Sequence, residues 1–117
     1  MTRSALPLVL LGAVAGLLPA EEALTYAKDI APIFTARCTE CHGEKKAKAG
    51  LRLHTLEATL KGDTHGPVVV PGKPESSKVY ELIILKPGDE DIMPPKGAPL
   101  TPEQISLIKR WIAAGAK

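Results

Sequence analysis

Two cysteines and a histidine in one short run carry the strongest chemical signal of this sequence. Cys38 and Cys41 are the only cysteines among 117 residues, and His42 follows directly, which gives a C-x-x-C-H motif. If this segment is helical, both thiols lie on one face, where they can reach two vinyl groups along one edge of a haem. The imidazole of His42 would then be the proximal iron ligand. The motif therefore predicts one haem c, covalently bound through Cys38 and Cys41.

Two other uses of the same cysteines are open at this point. With His54 and His65 they form C-x2-C-x12-H-x10-H, which fits a zinc finger except in the last gap, where three to five residues are usual. Neither histidine has a second candidate ligand at helical spacing, so a surface position is the simpler interpretation. The other use is a thiol-disulfide couple, which normally follows a buried strand, and no apolar strand precedes Cys38. We therefore favour haem.

Met93 is the second candidate iron ligand. It is the only methionine after Met1, and it lies 51 residues after His42 in an acidic loop that ends in two prolines. A lone methionine is usually core filler, but this loop has little helical or strand context to fill. A stiff loop is suited to holding a weak thioether ligand on iron.

The composition leaves little apolar material for a core. Only 3% of the residues are aromatic, while the chain has 11 prolines and 10 glycines. The length suffices for one domain and not for two. Burial of several hundred Å² of porphyrin at about 25 cal/mol per Å² would contribute on the order of 10 kcal/mol, as an upper estimate. We therefore expect the cofactor to be part of the fold.

Residues 1–20 have the features of an export signal. Arg3 provides a short positive segment, and an apolar run follows over residues 5–18. This run is short for a membrane span and contains Pro7, so a cleaved signal is favoured over an uncleaved anchor. We therefore predict a signal peptide at 1–20 and one domain at 21–117, in a periplasmic or secreted protein without a stable membrane span.

The charge distribution bears on possible partners. Without Arg3, the chain has 14 basic and 13 acidic residues, a balance that argues against binding to nucleic acid. Lys45, Lys46 and Lys48 form a basic run after the motif. This run is either an exposed loop or a docking patch for an acidic redox partner, where charge raises the encounter rate more than the affinity.

Four short helices are expected to position these residues. The first is predicted at 27–41, with Asp29 as N-cap and a start near Ile30, because Pro32 is tolerated only in a first turn or at a kink. Its Phe34 is predicted to pack against Trp111. The second and third are predicted at 56–61, with Thr55 as N-cap and Gly62 at the end, and at 75–85.

The last helix, 101–114, has the clearest signals. Thr101 is the N-cap, Pro102 stands at N1, Gln104 completes a capping box, and Gly115 lies just past the end. Its apolar stripe includes Trp111.

The segment 66–72 is rigid, β-branched and bounded by prolines, so it is predicted to be an extended wall rather than a central strand. A ligating imidazole almost always donates its other ring nitrogen to a fixed acceptor. The carbonyl of Pro67 is our first choice for the acceptor of the His42 ring proton, and that of Pro71 is the second.

With these residues placed, the chain resembles class I c-type cytochromes, and most closely the planctomycete-type cytochrome c domain. The resemblance lies in residues 29–34, 38–43, 50–53, 66–67, 70–74, 93–95, 111–112 and 115–116. It implies a small all-α fold wrapped around one haem c, with His42 and Met93 as axial ligands. It also implies electron transfer with an unnamed redox partner protein.

The sequence thus predicts an electron-transfer protein and not an enzyme. Filled axial positions at His42 and Met93 would leave iron no open site for O₂ or peroxide. The alternative is a haem-based small-ligand binder or peroxidase-like protein in which Met93 is displaced.

Overall fold

The described part of the chain is built from short helices. A computed structural model describes residues 2, 4, 5, 7 and 23–117. These residues contain no β-strand, only two isolated bridges. The helices within them are α1 (Ala31–Arg37), α2 (Leu56–Lys61), α3 (Lys78–Ile83) and α4 (Pro102–Ala113). The predicted all-α class with four short helices is therefore confirmed for this part of the chain.

The predicted signal peptide, residues 1–20, lies outside the described residues except for positions 2, 4, 5 and 7. Among the residues that are described, no helix combines the length and the apolar content needed to cross a bilayer. The division into a signal at 1–20 and a domain at 21–117 stays a prediction.

The first helical segment begins earlier than predicted. A π-helical turn, Tyr26–Ile30, precedes α1, and the hydroxyl of Thr25 caps it by accepting a hydrogen bond from the N–H of Lys28. The carboxylate of Asp29 in turn accepts from the N–H of Thr25, at 2.9 Å. The prediction of Asp29 as N-cap is therefore wrong, because its side chain reaches back from inside the turn. Pro32 stands in the first turn of α1, as expected.

Helices α2 and α4 begin and end as predicted. The hydroxyl of Thr55 caps α2, and Gly62 ends it with a φ of 85°, a conformation that favours glycine. In α4, the hydroxyl of Thr101 accepts from the N–H of Gln104 at 3.1 Å, and Oε1 of Gln104 accepts from the N–H of Thr101 at 2.9 Å. This reciprocal pair is the predicted capping box, and Gly115 follows the end of the helix.

The third predicted helix, 75–85, is shorter in the structure. A 3₁₀ turn, Pro74–Ser76, precedes α3, which has only six residues. Ser77 lies between the two and is fully buried. Its hydroxyl donates to the carbonyl of Lys73 at 2.8 Å and accepts from the N–H of Val70 at 2.9 Å. The hydroxyl therefore connects the start of α3 to the backbone of Val70 and Lys73 and does not cap the helix.

An aromatic cluster joins the first and last helical segments. The ring of Trp111 lies 6.5 Å from that of Phe34 and 6.1 Å from that of Tyr26, measured between centroids. Trp111 is fully buried and Phe34 nearly so. The predicted contact between Trp111 and Phe34 is confirmed. The hydroxyl of Tyr26 donates to the carbonyl of Leu53 at 2.6 Å, which connects this cluster to the segment after the C-x-x-C-H motif.

Candidate haem site

The C-x-x-C-H motif follows α1 as a hydrogen-bonded turn. The N–H of Cys38 donates to the carbonyl of Phe34 at 2.8 Å, which continues from the end of α1. The N–H groups of Cys41 and His42 then both donate to the carbonyl of Cys38, at 3.2 and 3.0 Å. The expectation that the motif belongs to the helix is wrong, since α1 ends at Arg37. The bond from His42 to Cys38 nevertheless has the four-residue span of a helical turn, which keeps the motif residues close together.

Gly43 allows the chain to turn back directly after the motif. It is buried against the carbonyl of Thr39, and a Cβ at this position would collide with that oxygen. The N–H of Gly43 donates to the carbonyl of Lys46 at 2.7 Å. A glycine is therefore required here by the close approach of two backbone segments.

The loop after Gly43 fixes both the backbone and the ring of His42. The N–H of Lys48 donates to the carbonyl of Cys41 at 3.0 Å, and the N–H of Leu53 donates to that of His42 at 2.7 Å. Nδ1 of His42 lies 3.2 Å from the carbonyl oxygen of Lys48. A proton on Nδ1 would be donated there and would leave Nε2 available to a metal.

The group beside Nδ1 differs from the predicted one. Pro67, whose carbonyl was the expected acceptor, is an exposed residue in this structure. The loop that carries Lys48 folds over the motif and brings its own carbonyl to the ring instead.

One apolar cavity of about 460 Å³ brings the candidate ligands together. Cys38, Cys41, His42 and Met93 all line it. Small-molecule and cofactor sites have cavities of about 300–1,000 Å³ with mostly apolar walls. Here the apolar wall comes from α1, α3, α4 and the segments between them, and consists of Phe34, Leu51, Leu53, Val68, Val79, Leu82, Ile83, Leu100 and Ile108.

Met93 enters the cavity from the loop after α3. Its N–H donates to the carbonyl of Leu82 at 3.1 Å, and its half-buried side chain packs against the apolar core. Pro94 and Pro95 also line the cavity, and their fixed φ angles stiffen the loop next to the thioether. The structure therefore brings Met93 and His42 to the same cavity, while coordination of iron by either side chain stays a prediction.

The residues of the zinc interpretation are not brought together. His54 and His65 are both exposed, and neither lines the cavity. The described part of the chain contains no group of three or more His, Cys, Asp or Glu side chains placed to hold a metal ion. Cys38 and Cys41 are both free thiols, so they do not form the disulfide of a redox couple here.

Two parts of the site were missed from the sequence. The carbonyl of Lys48 had no signal, because every residue carries a carbonyl and only the loop geometry selects this one. Leu51 and Leu53 had a weak signal in their alternation, which is typical of extended backbone that buries one face. Both leucines are buried in the cavity wall.

The thiol of Cys38 is the most strongly perturbed group of the motif. Burial raises its pKa to about 11. The positive charge of Arg37 acts in the opposite direction, and the neighbouring Cys41 raises the pKa further. Only the thiolate is a good nucleophile, so a raised pKa keeps Cys38 as an unreactive thiol at neutral pH.

We predict slow alkylation of Cys38 in the folded, haem-free chain. At pH 8, iodoacetamide should modify it about a hundredfold more slowly than in the urea-unfolded chain, because a pKa near 11 leaves little thiolate. The rate should keep rising with pH until the thiol ionises. Peptide mass spectrometry on timed samples measures this rate, with the unfolded chain as control. Circular dichroism verifies that the haem-free chain is folded before labelling, and equal rates in such a sample would show that the thiol is not buried.

The comparisons with known proteins give one family. The family model of planctomycete cytochrome C matches residues 38–97, just over half of the chain. The matched range includes the C-x-x-C-H motif and Met93. No curated protein and no solved structure gave a match. The resemblance drawn from the sequence is therefore confirmed, and the chain belongs to the planctomycete cytochrome C family.

Proposed function

We propose that this chain is a monohaem c-type cytochrome that carries single electrons between redox partners outside the cytoplasm. The observation that carries the proposal is the shared cavity, which both motif thiols, the imidazole of His42 and the thioether of Met93 all line. The family match supports the cytochrome class. The single motif in the chain supports one haem.

The donor set fits covalent attachment of a haem. Each thiol, at Cys38 and at Cys41, would add its S–H across a vinyl double bond. The sulfur bonds to one vinyl carbon and the proton ends on the other, so the addition needs no external oxidant or reductant. The apolar wall suits the porphyrin face, whose burial is favourable at about 25 cal/mol per Å².

His42 and Met93 would be the axial ligands. Bound haem iron supplies a site that gains and loses one electron. His42 would bind through Nε2 while Nδ1 stays on the carbonyl of Lys48, which fixes the ring. Met93 would fill the second position, which favours a raised potential and leaves no site open to O₂ or peroxide. Because both positions on the iron would be filled, we infer electron transfer and not enzymatic turnover.

We further propose that the basic side chains at the cavity mouth dock an acidic redox partner. Lys45, Lys46 and Lys48 are exposed, as is Lys96. Three of these four, all except Lys45, line the cavity. Cations around the place where an electron enters and leaves would raise the rate of productive encounter with an acidic surface.

Protein purified from a host with haem-maturation machinery should have the mass of a chain that begins near residue 21 plus one haem. Cys38→Ala and Cys41→Ala should each keep a single thioether bond, and the double variant should keep none. Intact-protein mass spectrometry under denaturing conditions measures both features. A well-folded but colourless wild-type protein would contradict the proposal, and an intact residue 1 would contradict cleavage of the signal.

Met93→Ala should lower the reduction potential by on the order of 0.1 V or more and allow the reduced protein to bind carbon monoxide, because an axial position opens. Met93→Leu keeps the side-chain volume and should give the same result. Ile84→Ala is the control, since Ile84 is 47% exposed and does not line the cavity. Potentiometry and carbon monoxide titration measure the effects. Ready carbon monoxide binding by the reduced wild type would instead favour the small-ligand binder or peroxidase-like alternative.

Replacing Lys46 and Lys48 by Gln should slow electron exchange with an anionic iron complex by about threefold or more at low ionic strength. The effect should shrink in high salt, since screening weakens attraction between exposed charges. The matched control replaces Lys73 and Lys86, which are exposed and do not line the cavity. Stopped-flow absorbance measures the rate. Equal slowing in both double variants would show that net charge alone matters.

A further inference from the structure

Arg37 connects the haem-attachment motif to the loop that carries Met93. It directly precedes Cys38 at the end of α1, and it lines the cavity. Its guanidinium Nη2 donates a hydrogen bond to the carbonyl of Ala98, 61 residues further along the chain. A Cβ placed on Gly97 would lie 3.8 Å from the same nitrogen. The guanidinium therefore lies directly against the backbone of residues 97 and 98.

This contact lies in the part of the loop between α3 and α4 that has no buried apolar side chain to attach it to the core. The chain between α3 and α4 has no regular secondary structure. Ile92 is buried and the N–H of Met93 bonds to α3, so the first half of the loop is attached at these two residues. The next buried apolar side chain is Leu100. Between them the chain is exposed or half-buried, and the bond to Ala98 lies within this stretch.

We propose that Arg37 is a positioning residue that holds the Met93 loop against the cavity and so keeps the thioether in place as a ligand. This inference rests on the proposed ligation by Met93. Arginine is suited to the role, because a charged N–H donor makes a stronger hydrogen bond than a neutral one and its guanidinium is rigid. Since Arg37 adjoins Cys38, the end of α1 would set both the attachment point and the position of the distant ligand.

Two effects of removing Arg37 have to be separated. Loss of a positive charge near the iron would favour the oxidised form and lower the potential, without opening a coordination position. Loss of the hydrogen bond would loosen the loop and let Met93 leave the iron for part of the time. Carbon monoxide binding to the reduced protein responds to the second effect and not to the first, so it distinguishes positioning from electrostatics.

The experiment uses purified holoprotein with one covalent haem, verified by mass. We expect Arg37→Met to bind carbon monoxide about tenfold faster than the wild type or more, as the loss of a charged hydrogen bond implies. Arg37→Lys keeps a charged donor and should lie between the two. The matched control is Arg52→Met, because Nε of Arg52 donates to the carbonyl of Glu44 at 3.4 Å and the residue does not line the cavity. Its rate should stay within about twofold of the wild type.

Met93→Ala provides the reference for complete loss of the ligand. If it gains no carbon monoxide binding, ligation by Met93 fails, and the proposed function fails with it. If Met93→Ala binds carbon monoxide but Arg37→Met behaves like Arg52→Met, the positioning role alone is overturned. If Arg37→Met fails to acquire haem, Arg37→Lys takes its place in the comparison, and carbon monoxide binding by Arg37→Lys no faster than by Arg52→Met overturns the positioning role.

Discussion

The packing of Phe34 between Trp111 and the cavity is the contact on which the rest of the site depends. Phe34 and Trp111 meet edge to face, and Tyr26 completes the cluster. Such aromatic pairs contribute about 0.5–1.5 kcal/mol each beyond the burial of their surface. The carbonyl of Phe34 also receives the N–H groups of Cys38 and Thr39. One residue thus connects the last helix to the first and fixes where the motif turn begins.

The few aromatic residues of this chain are concentrated in one cluster. The sequence has four, and three of them, Tyr26, Phe34 and Trp111, form this single cluster. Apolar side chains beyond the cluster, such as Leu100 and Ile108, are buried in the core and also line the cavity. Part of the core therefore also forms the cavity wall. A flat apolar cofactor placed there would extend the core, which agrees with the small amount of other apolar material in the chain.

The parts of the fold that were predictable from the sequence are those with local signals. The capping box of Thr101 and Gln104 predicted where α4 begins, and its apolar stripe predicted that Trp111 faces Phe34. Predictions failed where a side chain bonded to a different backbone group from the one that its position suggested. The hydroxyl of Ser77 bonds to the backbone of Val70 and Lys73 and not to its own helix.

The same distinction applies to the site. The spacing of the two cysteines and His42 predicted their shared chemistry without knowledge of the fold. The neighbours of these residues were not predictable in the same way. The carbonyls of Lys48 and Ala98 have no signature in the residue types, because any residue could provide them. Only the path of the chain decides which carbonyl meets His42 and which meets Arg37.

The thioether ligand and the cations around the cavity would both raise the reduction potential of the iron. The cavity is lined by five cationic side chains and two anionic ones, namely Arg37, Lys46, Lys48, Lys78 and Lys96 with Glu40 and Asp63. Reduction lowers the positive charge on iron by one unit, and nearby cations favour that change, although salt screens those that are exposed. A thioether ligand also favours the reduced form. The cations proposed to attract an acidic partner would therefore also make the iron a better electron acceptor.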